Sequence, residues 1–277
     1  GARAPDAAAA GGPAGRYVAM NRFRTQGGGA PAKFEQRWAT RKSRLAQLEG
    51  FRFFSLLRRA PLEEGGQLAL GADEFDYFSF TVWDDRSAFS AWREGEAFKE
   101  AHGGGTLFGF VDMLVNSART LKGPPKPAFF EGSQVLSVAV PAAELPATVG
   151  GWRDVQADGQ SLLAPECFVA MNRFAVAEGG EGDYEASVAG MGLQGRIDAQ
   201  PGFKLMALLK RDGPAEDGYN YFSCSVFSDR EAYLAWRASD DYAAAHSPGA
   251  GPPPAFTKPP SPLFFEGKLV LETEAGA

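Results

Sequence analysis

The chain contains few of the residues that usually carry metal or thiol chemistry. Among its 277 residues there are two histidines and two cysteines. Cys167 and Cys224 lie in strand-like stretches of the second half and have no counterparts in the first half. We therefore expect buried, reduced thiols in an intracellular protein rather than a disulfide framework. So few sulfur and imidazole ligands also exclude closed structural zinc sites, and neither a phosphate-binding loop nor a Ser-His-Asp motif is visible.

The sequence also lacks an excess of positive charge and long apolar runs. Lysine and arginine number 28 against 34 acidic residues, which gives a net charge of −6 and argues against nucleic-acid binding. No segment approaches the roughly 20 apolar residues of a membrane span. We therefore expect neither nucleic acid nor a membrane as a partner. A local basic run at residues 37–44 is expected to be a solvated helix face.

Residues 1–15 form a segment of low complexity, GARAPDAAAAGGPAG, that does not begin with Met. This composition predicts a disordered leader. A removed organelle-targeting peptide, for example a plastid one, would explain it, and so would cloning. We expect a soluble intracellular protein, located in an organelle if such a peptide has been removed.

An internal repeat organises the rest of the chain. The segment YVAMNRF at residues 17–23 returns as FVAMNRF at residues 168–174, and the later segments also match in pairs. The first repeat is assigned to residues 16–140 and the second to residues 166–277. The Pro-, Gly- and Ala-rich residues 141–165 between them are expected to be a linker.

The predicted elements of each repeat follow the order β-α-β-β-α-β. The first helix is expected at residues 32–48 in one repeat and, weakened by glycines, at residues 184–199 in the other. This order is the ferredoxin-like split unit. Two such sheets packed face to face would bury both apolar faces. The sequence therefore predicts an α+β fold in which two ferredoxin-like repeats form, within one chain, the barrel that small domains of this type build as homodimers.

Both histidines fall at the same place in the repeat. His102 follows Trp92 by ten residues, as His246 follows Trp236, and an aromatic residue precedes each histidine by one helical turn. A tryptophan at helical spacing alone indicates core packing, and a lone histidine is more often a surface or satisfied residue. The shared spacing favours a cavity used twice. One histidine in an aromatic pocket fits a haem iron, to which the porphyrin supplies four ligands and the protein supplies one.

Asn21 and Asn172 lie within the repeated first strands, where asparagine is unfavourable. A buried asparagine needs a hydrogen-bond partner. Two interpretations remain open for both residues: a bond at a turn or strand edge, or an amide that points into a pocket.

Three stretches of the first repeat resemble the IsdG-type haem-degrading monooxygenases of the antibiotic biosynthesis monooxygenase superfamily, which are dimeric α+β barrels. They are WATRKSRLAQLEGF, FSFTVWDDRSAFSAW and EAFKEAH, and the second repeat matches more thinly. In that family a His is the proximal haem ligand, an Asn hydrogen-bonds the distal ligand or bound oxygen, and a Trp presses the porphyrin out of plane. The resemblance implies these roles for His102, Asn21 and Trp92, with Trp38 lining the pocket, and for His246, Asn172 and Trp236 in the second repeat.

The resemblance further implies that haem is both cofactor and substrate. The ring would be opened with dioxygen and a reductant, iron would be released, and a separate reductase would donate electrons. The chain departs from the family in being a tandem pseudo-dimer, and Gly190 is expected about where the first repeat has Trp38. The first repeat is therefore expected to hold the better-matched site. A haem-binding protein without turnover and a cofactor-free monooxygenase of the same fold remain alternatives, and further oligomerisation is left open.

Overall fold

The computed structural model describes residues 15–62, 68, 70–71, 74–101, 119–247 and 255–273. The expected leader falls outside these ranges except for Gly15. In the described ranges no helix has the length and apolar character needed to span a bilayer.

The first half contains β1 (Arg16–Phe23), α1 (Ala30–Ala39), β2 (Phe51–Arg59), β3 (Tyr77–Trp83), α2 (Arg86–Glu94), α3 (Glu96–Ala101) and β4 (Lys126–Ser137). A short hairpin follows, formed by β5 (Thr148–Val149) and β6 (Trp152–Arg153). The second half contains β7 (Cys167–Val176), α4 (Glu181–Gly190), β8 (Phe203–Arg211), β9 (Tyr221–Phe227), α5 (Arg230–Arg237), α6 (Asp240–Ala245) and β10 (Phe256–Glu272).

Eight strands close into one barrel, in the order β1-β3-β2-β10-β7-β9-β8-β4. Every neighbouring pair is antiparallel. Two of these contacts, β2 with β10 and β4 with β8, join one half of the chain to the other. The predicted α+β fold, with two ferredoxin-like repeats forming a dimer-type barrel within one chain, is therefore confirmed.

The closing strand of each half contains a bulge where it passes from its own sheet to the other. Gln134 and Leu269 have positive φ angles of 50° and 53°, which non-glycine residues seldom adopt. The β4–β8 register shifts between Ser133 and Leu136, and the β10–β2 register shifts at the corresponding place. A bulge bends a strand and increases its twist, so these two irregularities let each closing strand serve both sheets.

The barrel interior is a continuous apolar core, and the two predicted thiols lie in it. Cys167 and Cys224 are free and buried among residues such as Met20, Val169 and Leu209. Burial raises the pKa of the Cys167 thiol to about 12, which leaves it protonated and unreactive at neutral pH. The expectation of buried thiols without a disulfide is confirmed.

The first helix of each repeat is shorter than its hydrophobic spacing predicts. Helix α1 ends at Ala39, where the backbone N–H and the hydroxyl of Thr40 both donate to the Gln36 carbonyl at 2.9 Å. The apolar residues beyond it belong to a separate 3₁₀ turn, Leu45–Gln47. Likewise, α4 covers residues 181–190 rather than 184–199. The predicted bounds were wrong because the helix and the residues that follow it pack against the same sheet. Their apolar residues therefore keep the spacing of one helix although the helix has ended.

The basic run at residues 37–44 is consequently not one solvated helix face. Arg41 lies beyond the helix end, with its guanidinium 4.6 Å from the ring centroid of Trp38 and 5.1 Å from that of Trp152. Burial lowers the pKa of Arg41 to about 10. It remains charged at neutral pH and contacts two rings that are far apart in sequence.

The connecting segment, residues 141–165, packs against the first half of the chain and is not a free linker. The indole N–H of Trp152, which is 3% exposed, donates to the carbonyl of Trp38 at 2.9 Å. Further along, Gln36 Nε2 donates to the Ala157 carbonyl at 3.1 Å. The outward side of α1 is therefore covered by residues of the connecting segment.

A glycine precedes the second strand of each repeat. Gly50 and Gly202 have φ angles of 75° and 78°, in the region that glycine adopts without strain. A Cβ on Gly50 would lie 2.5 Å from the Cβ of Ala88, and one on Gly202 would lie 2.8 Å from that of Ala232. Each turn therefore brings the backbone directly under the helix that follows the third strand.

Replacing Gly50 with alanine should lower the free energy of unfolding by about 2–3 kcal/mol, because left-handed strain adds to the overlap with Ala88. Gly28 is a matched control, since its φ is 66° and nothing lies within 4 Å of an added Cβ. Gly28→Ala should cost about 1 kcal/mol from strain alone. Urea unfolding of the two variants measures the difference, and equal losses would contradict the close approach of the Gly50 turn to α2.

Candidate functional site

The outer face of β1 changes from large side chains to small ones and back. Tyr17 and Phe23, near its ends, are buried beneath the helices, while Ala19 and Asn21 lie between them on the same face. The Asn21 side chain is exposed. The middle of the strand thus carries small side chains, of which Ala19 is buried and Asn21 is exposed.

Strand β3 repeats this pattern beside β1. Ser79 pairs with Asn21 in the sheet, and Thr81 pairs with Ala19. The Asn21 backbone N–H donates to the Ser79 hydroxyl at 3.3 Å, and the Thr81 hydroxyl donates to the Ala19 carbonyl at 3.0 Å. Ala19, Asn21, Ser79 and Thr81 form a small, partly polar floor. We call the space above it the first groove.

Aromatic residues of two helices stand at the two ends of this floor. Trp38 of α1 contacts Phe23 at 5.9 Å between ring centroids and stacks on Phe54 at 5.6 Å. Trp92 of α2 stacks on Trp83 at 5.3 Å with 28° between the ring planes. Both Trp38 and Trp92 are half-buried. The first groove thus has aromatic walls and a polar amide on its floor.

Three of the four site residues predicted for the first repeat share this outer surface. Asn21 lies on the floor, and Trp38 and Trp92 belong to the walls. His102 lies outside the described residues, so its role as an iron ligand stays a prediction. The interpretation of Asn21 as an amide presented to a pocket fits its exposure.

The second repeat has the same floor. On β7, Ala170 and the exposed Asn172 lie between Phe168 and Phe174. Two serines of β9 pair with them in the sheet. The floor of the second groove consists of Ala170, Asn172, Ser223 and Ser225.

The walls of the second groove differ from those of the first. Trp236 is 3% exposed and packs edge-to-face against Tyr242, with 5.5 Å between ring centroids. Its counterpart Trp92 is half-buried. In the second repeat the tryptophan is therefore buried more deeply, although an aromatic residue six positions later packs edge-to-face on it in both repeats, as Phe98 does on Trp92.

A repeated hydrogen bond shows which residue replaces Trp38. The tyrosine that begins the third strand of each repeat donates to Glu35 of α1 at 2.6 Å and to Glu185 of α4 at 2.5 Å. Three residues beyond these glutamates are Trp38 and Val188. The expected counterpart Gly190 is wrong, because the paired rings Phe174 and Tyr184 are ten residues apart, whereas their counterparts Phe23 and Phe34 are eleven apart.

The tyrosine–glutamate pairs were missed in the sequence, although both partners recur in the aligned repeats. Glu35 is fully buried and also accepts a hydrogen bond from the backbone N–H of Leu163 in the connecting segment. Burial and the neighbouring Glu35 raise the pKa of Tyr77 far above its usual value. The pair ties α1 to the sheet and so positions Trp38.

His246 follows the last residue of α6 and is exposed. Its Nδ1 lies 2.9 Å from the carbonyl oxygen of Tyr242, and its ring stacks on the Tyr242 ring with 3.9 Å between centroids. A nitrogen that faces a carbonyl must carry the proton, so the neutral ring has its free electron pair on Nε2. Ligating histidines commonly have this arrangement, in which the other ring nitrogen donates to a backbone carbonyl.

The comparisons with known proteins agree with this architecture. The antibiotic biosynthesis monooxygenase family model matches residues 16–104 and again residues 167–248. No curated protein sequence matches the chain. A putative monooxygenase from Fusobacterium nucleatum has a TM-score of 0.57 at 9% identity, with 95% of this chain and 97% of that chain covered. One from Lactobacillus acidophilus has a TM-score of 0.55 at 10% identity, with coverage of 94% and 97%.

A third similar structure is the haem-degrader MhuD of Mycobacterium tuberculosis, which was solved with two haems in its active site. It is 26% identical, with a TM-score of 0.28, and covers 36% of this chain and 93% of its own. The two putative monooxygenases share the fold along nearly the full length of the chain. On the strength of the two family matches, this chain belongs to the antibiotic biosynthesis monooxygenase family and carries two copies of its domain.

Proposed function

We propose that the protein is a haem-degrading monooxygenase. The observation that carries the haem assignment is the state of His246, whose Nδ1 is held by a backbone carbonyl while Nε2 is left to bind iron. A porphyrin brings four ligands for its iron and needs one axial ligand from the protein. A single histidine in each repeat therefore suffices, where an ion without a porphyrin would need a cluster of ligands.

The grooves suit a flat, largely apolar ligand. Sites for such ligands are mostly apolar, with a few polar groups that set orientation. In the first groove Trp38 and Trp92 supply apolar walls, and Asn21 supplies the polar group on a floor of small residues. Small side chains at the centre of the sheet let a planar ring approach the strands. The donor set and the shape therefore fit haem.

The residues of the chain would divide the work as follows. His246, and His102 in the first half, would supply the axial nitrogen. Asn21 and Asn172 would present carboxamides to small polar ligands within the grooves, and Trp92 would press on one face of the ring. When bound, haem would supply both the iron that activates dioxygen and the carbon that is oxidised, with electrons from a separate reductase. Ring opening would then release the iron.

The two grooves are expected to differ in affinity. The first has Trp38 on its wall, whereas the second has the smaller Val188 at that place. Replacing an indole by an isopropyl group removes contact area that an apolar ligand would bury. In the second groove Trp236 is also buried more deeply than Trp92, so it offers a ligand less of its ring.

Hemin added to the protein should produce a Soret band, and reductant with oxygen should abolish it. His246→Ala should weaken binding at the second groove by at least about tenfold, because the axial ligand is lost, and the His102→Ala, His246→Ala double variant should lose the band. Absorbance titration measures both effects. Tyr242→Phe is a matched control, since it keeps the stacked ring and the backbone carbonyl and should leave binding unchanged.

The outcomes of the same titration separate the alternatives. A Soret band that persists under oxygen and reductant would indicate a haem-binding protein without turnover. Absence of any band would favour a cofactor-free monooxygenase of the same family. Unchanged hemin binding in the double histidine variant would show that the axial ligands are assigned wrongly.

The asparagines should affect turnover more than binding. Combining Asn21→Ala with Asn172→Ala should slow haem loss about tenfold, the effect of removing one useful hydrogen bond of about 1.4 kcal/mol. The hemin dissociation constant should change less than threefold. Single-turnover decay of the Soret band with a chemical reductant tests this, with Ser223→Ala as a floor variant that keeps the amide. Equal loss of rate in the Ser223 variant would sink the assignment.

A further inference from the structure

One end of the barrel carries four arginines in two repeat-related pairs. Arg22 and Arg173 occupy the same place in the repeated segment MNRF. Arg59 and Arg211 are the last residues of β2 and β8. We call these four residues the arginine cluster. Their guanidinium carbons lie over aromatic rings: Arg22 at 5.1 Å from Phe75, Arg59 at 5.8 Å from Phe265, Arg173 at 4.7 Å from Tyr219 and Arg211 at 5.2 Å from Phe130.

A small cavity lies within this end of the barrel. Its charged lining comes from Arg22, Arg59 and Arg173, together with the carboxylates of Glu74 and Asp217. Phenylalanine and leucine side chains of both halves form the remainder. The cavity measures about 40 Å³, whereas one water needs roughly 10–15 Å³ by the same measure. A few waters or one compact ligand would therefore fill it.

Two of the four guanidinium groups contact a carboxylate. Asp217 pairs with Arg22 at 2.8 Å, and Glu74 lies 3.8 Å from Arg173. Arg59 and Arg211 form no ion pair of 4.0 Å or less with any part of the chain that the structure describes. Arg59 and Arg211 thus face aromatic rings at close range, and the carboxylates that act on them, Asp76 and Glu216 among them, lie farther away than 4.0 Å.

Several hydrogen-bond donors of the cluster are also unused. Arg59 Nε, Arg173 Nε and Arg211 Nη1 are buried and have no hydrogen-bond partner among the described residues. Burial, as the largest cause, lowers the pKa of all three guanidinium groups. A buried donor without an acceptor costs free energy, and a buried cation without a counter-charge costs more. A ligand that brings oxygen acceptors and negative charge would relieve both costs.

We propose that this end of the barrel binds one compact oxyanion, of the class that includes inorganic phosphate and small carboxylates. Guanidinium groups recognise both through paired N–H donors. The site is distinct from the two grooves, since it lies inside the barrel and they lie on its outer faces. It also takes residues from both halves, so that the complete barrel has one such site and neither half alone has it.

Thermal unfolding of the full chain tests the proposal without haem. At pH 7 and constant ionic strength, replacing chloride with phosphate at ten times its dissociation constant should raise the Tm by about 3–6 °C. Acetate is the second arm. A rise in either anion supports the oxyanion class and identifies the geometry preferred, while a Tm equal to that in chloride for both anions overturns the proposal.

Two variants distinguish a site from a general salt effect, because phosphate also stabilises proteins by exclusion from their surface. Arg59→Gln removes a cation that has no ion pair of 4.0 Å or less among the described residues, so the chain should stay folded while the anion-dependent rise in Tm falls at least threefold. Arg93→Gln is the control, since Arg93 is an exposed arginine of α2, and it should keep the full rise. Arg59→Lys, which retains the charge, should keep part of it. An equal rise in the wild type and Arg59→Gln would refute the site.

Discussion

The structure depends on the pairing of strands from opposite halves. Strand β2 reaches its second neighbour only in β10, and β8 reaches its second neighbour only in β4. Without these contacts each half would be an open four-stranded sheet with one apolar face in water and two unpaired edges. Closure buries both apolar faces in one interior and turns the other faces outward beneath the helices. The grooves, the helix pairs and the arginine cluster all take their positions from that closure.

The two outer faces of the barrel share the same floor residues but differ in the layer that covers them. Both floors contain an alanine, an exposed asparagine and two small hydroxyl residues, set between large aromatics. The differences lie in the layer above. The connecting segment covers α1 through Trp152 and Ala157, and in the second half it contacts Lys268 and Val270 of β10, whereas among the described residues no hydrogen bond joins it to α4. Ordering of α1 costs less when it is held from both sides, so the first groove is the better preorganised of the two.

Much of this could be read from the sequence, because a repeat reports on tertiary structure in a way that a single segment does not. The matched strands and the two tryptophan–histidine spacings predicted the barrel and the outer-face residues. The predictions failed where helical spacing of apolar residues was interpreted as one continuous helix. Leu45 keeps helical spacing with α1 although the helix ends at Ala39. The counterpart of Trp38 was displaced because Phe174 and Tyr184 are one residue closer in sequence than Phe23 and Phe34, a change that the tyrosine–glutamate bonds reveal. His102 lies outside the described residues and remains a prediction.

The covalent link between the halves also changes what a substitution can do. In a symmetric dimer every residue is present twice, so any change at one pocket is imposed on the other. Here Trp38 and Val188 occupy equivalent places, and each can be substituted without changing the other. Because the halves are covalently linked, a substitution that weakens one groove does not cause the two halves to dissociate. The barrel can therefore tolerate a division of labour between its pockets that two identical chains could not encode.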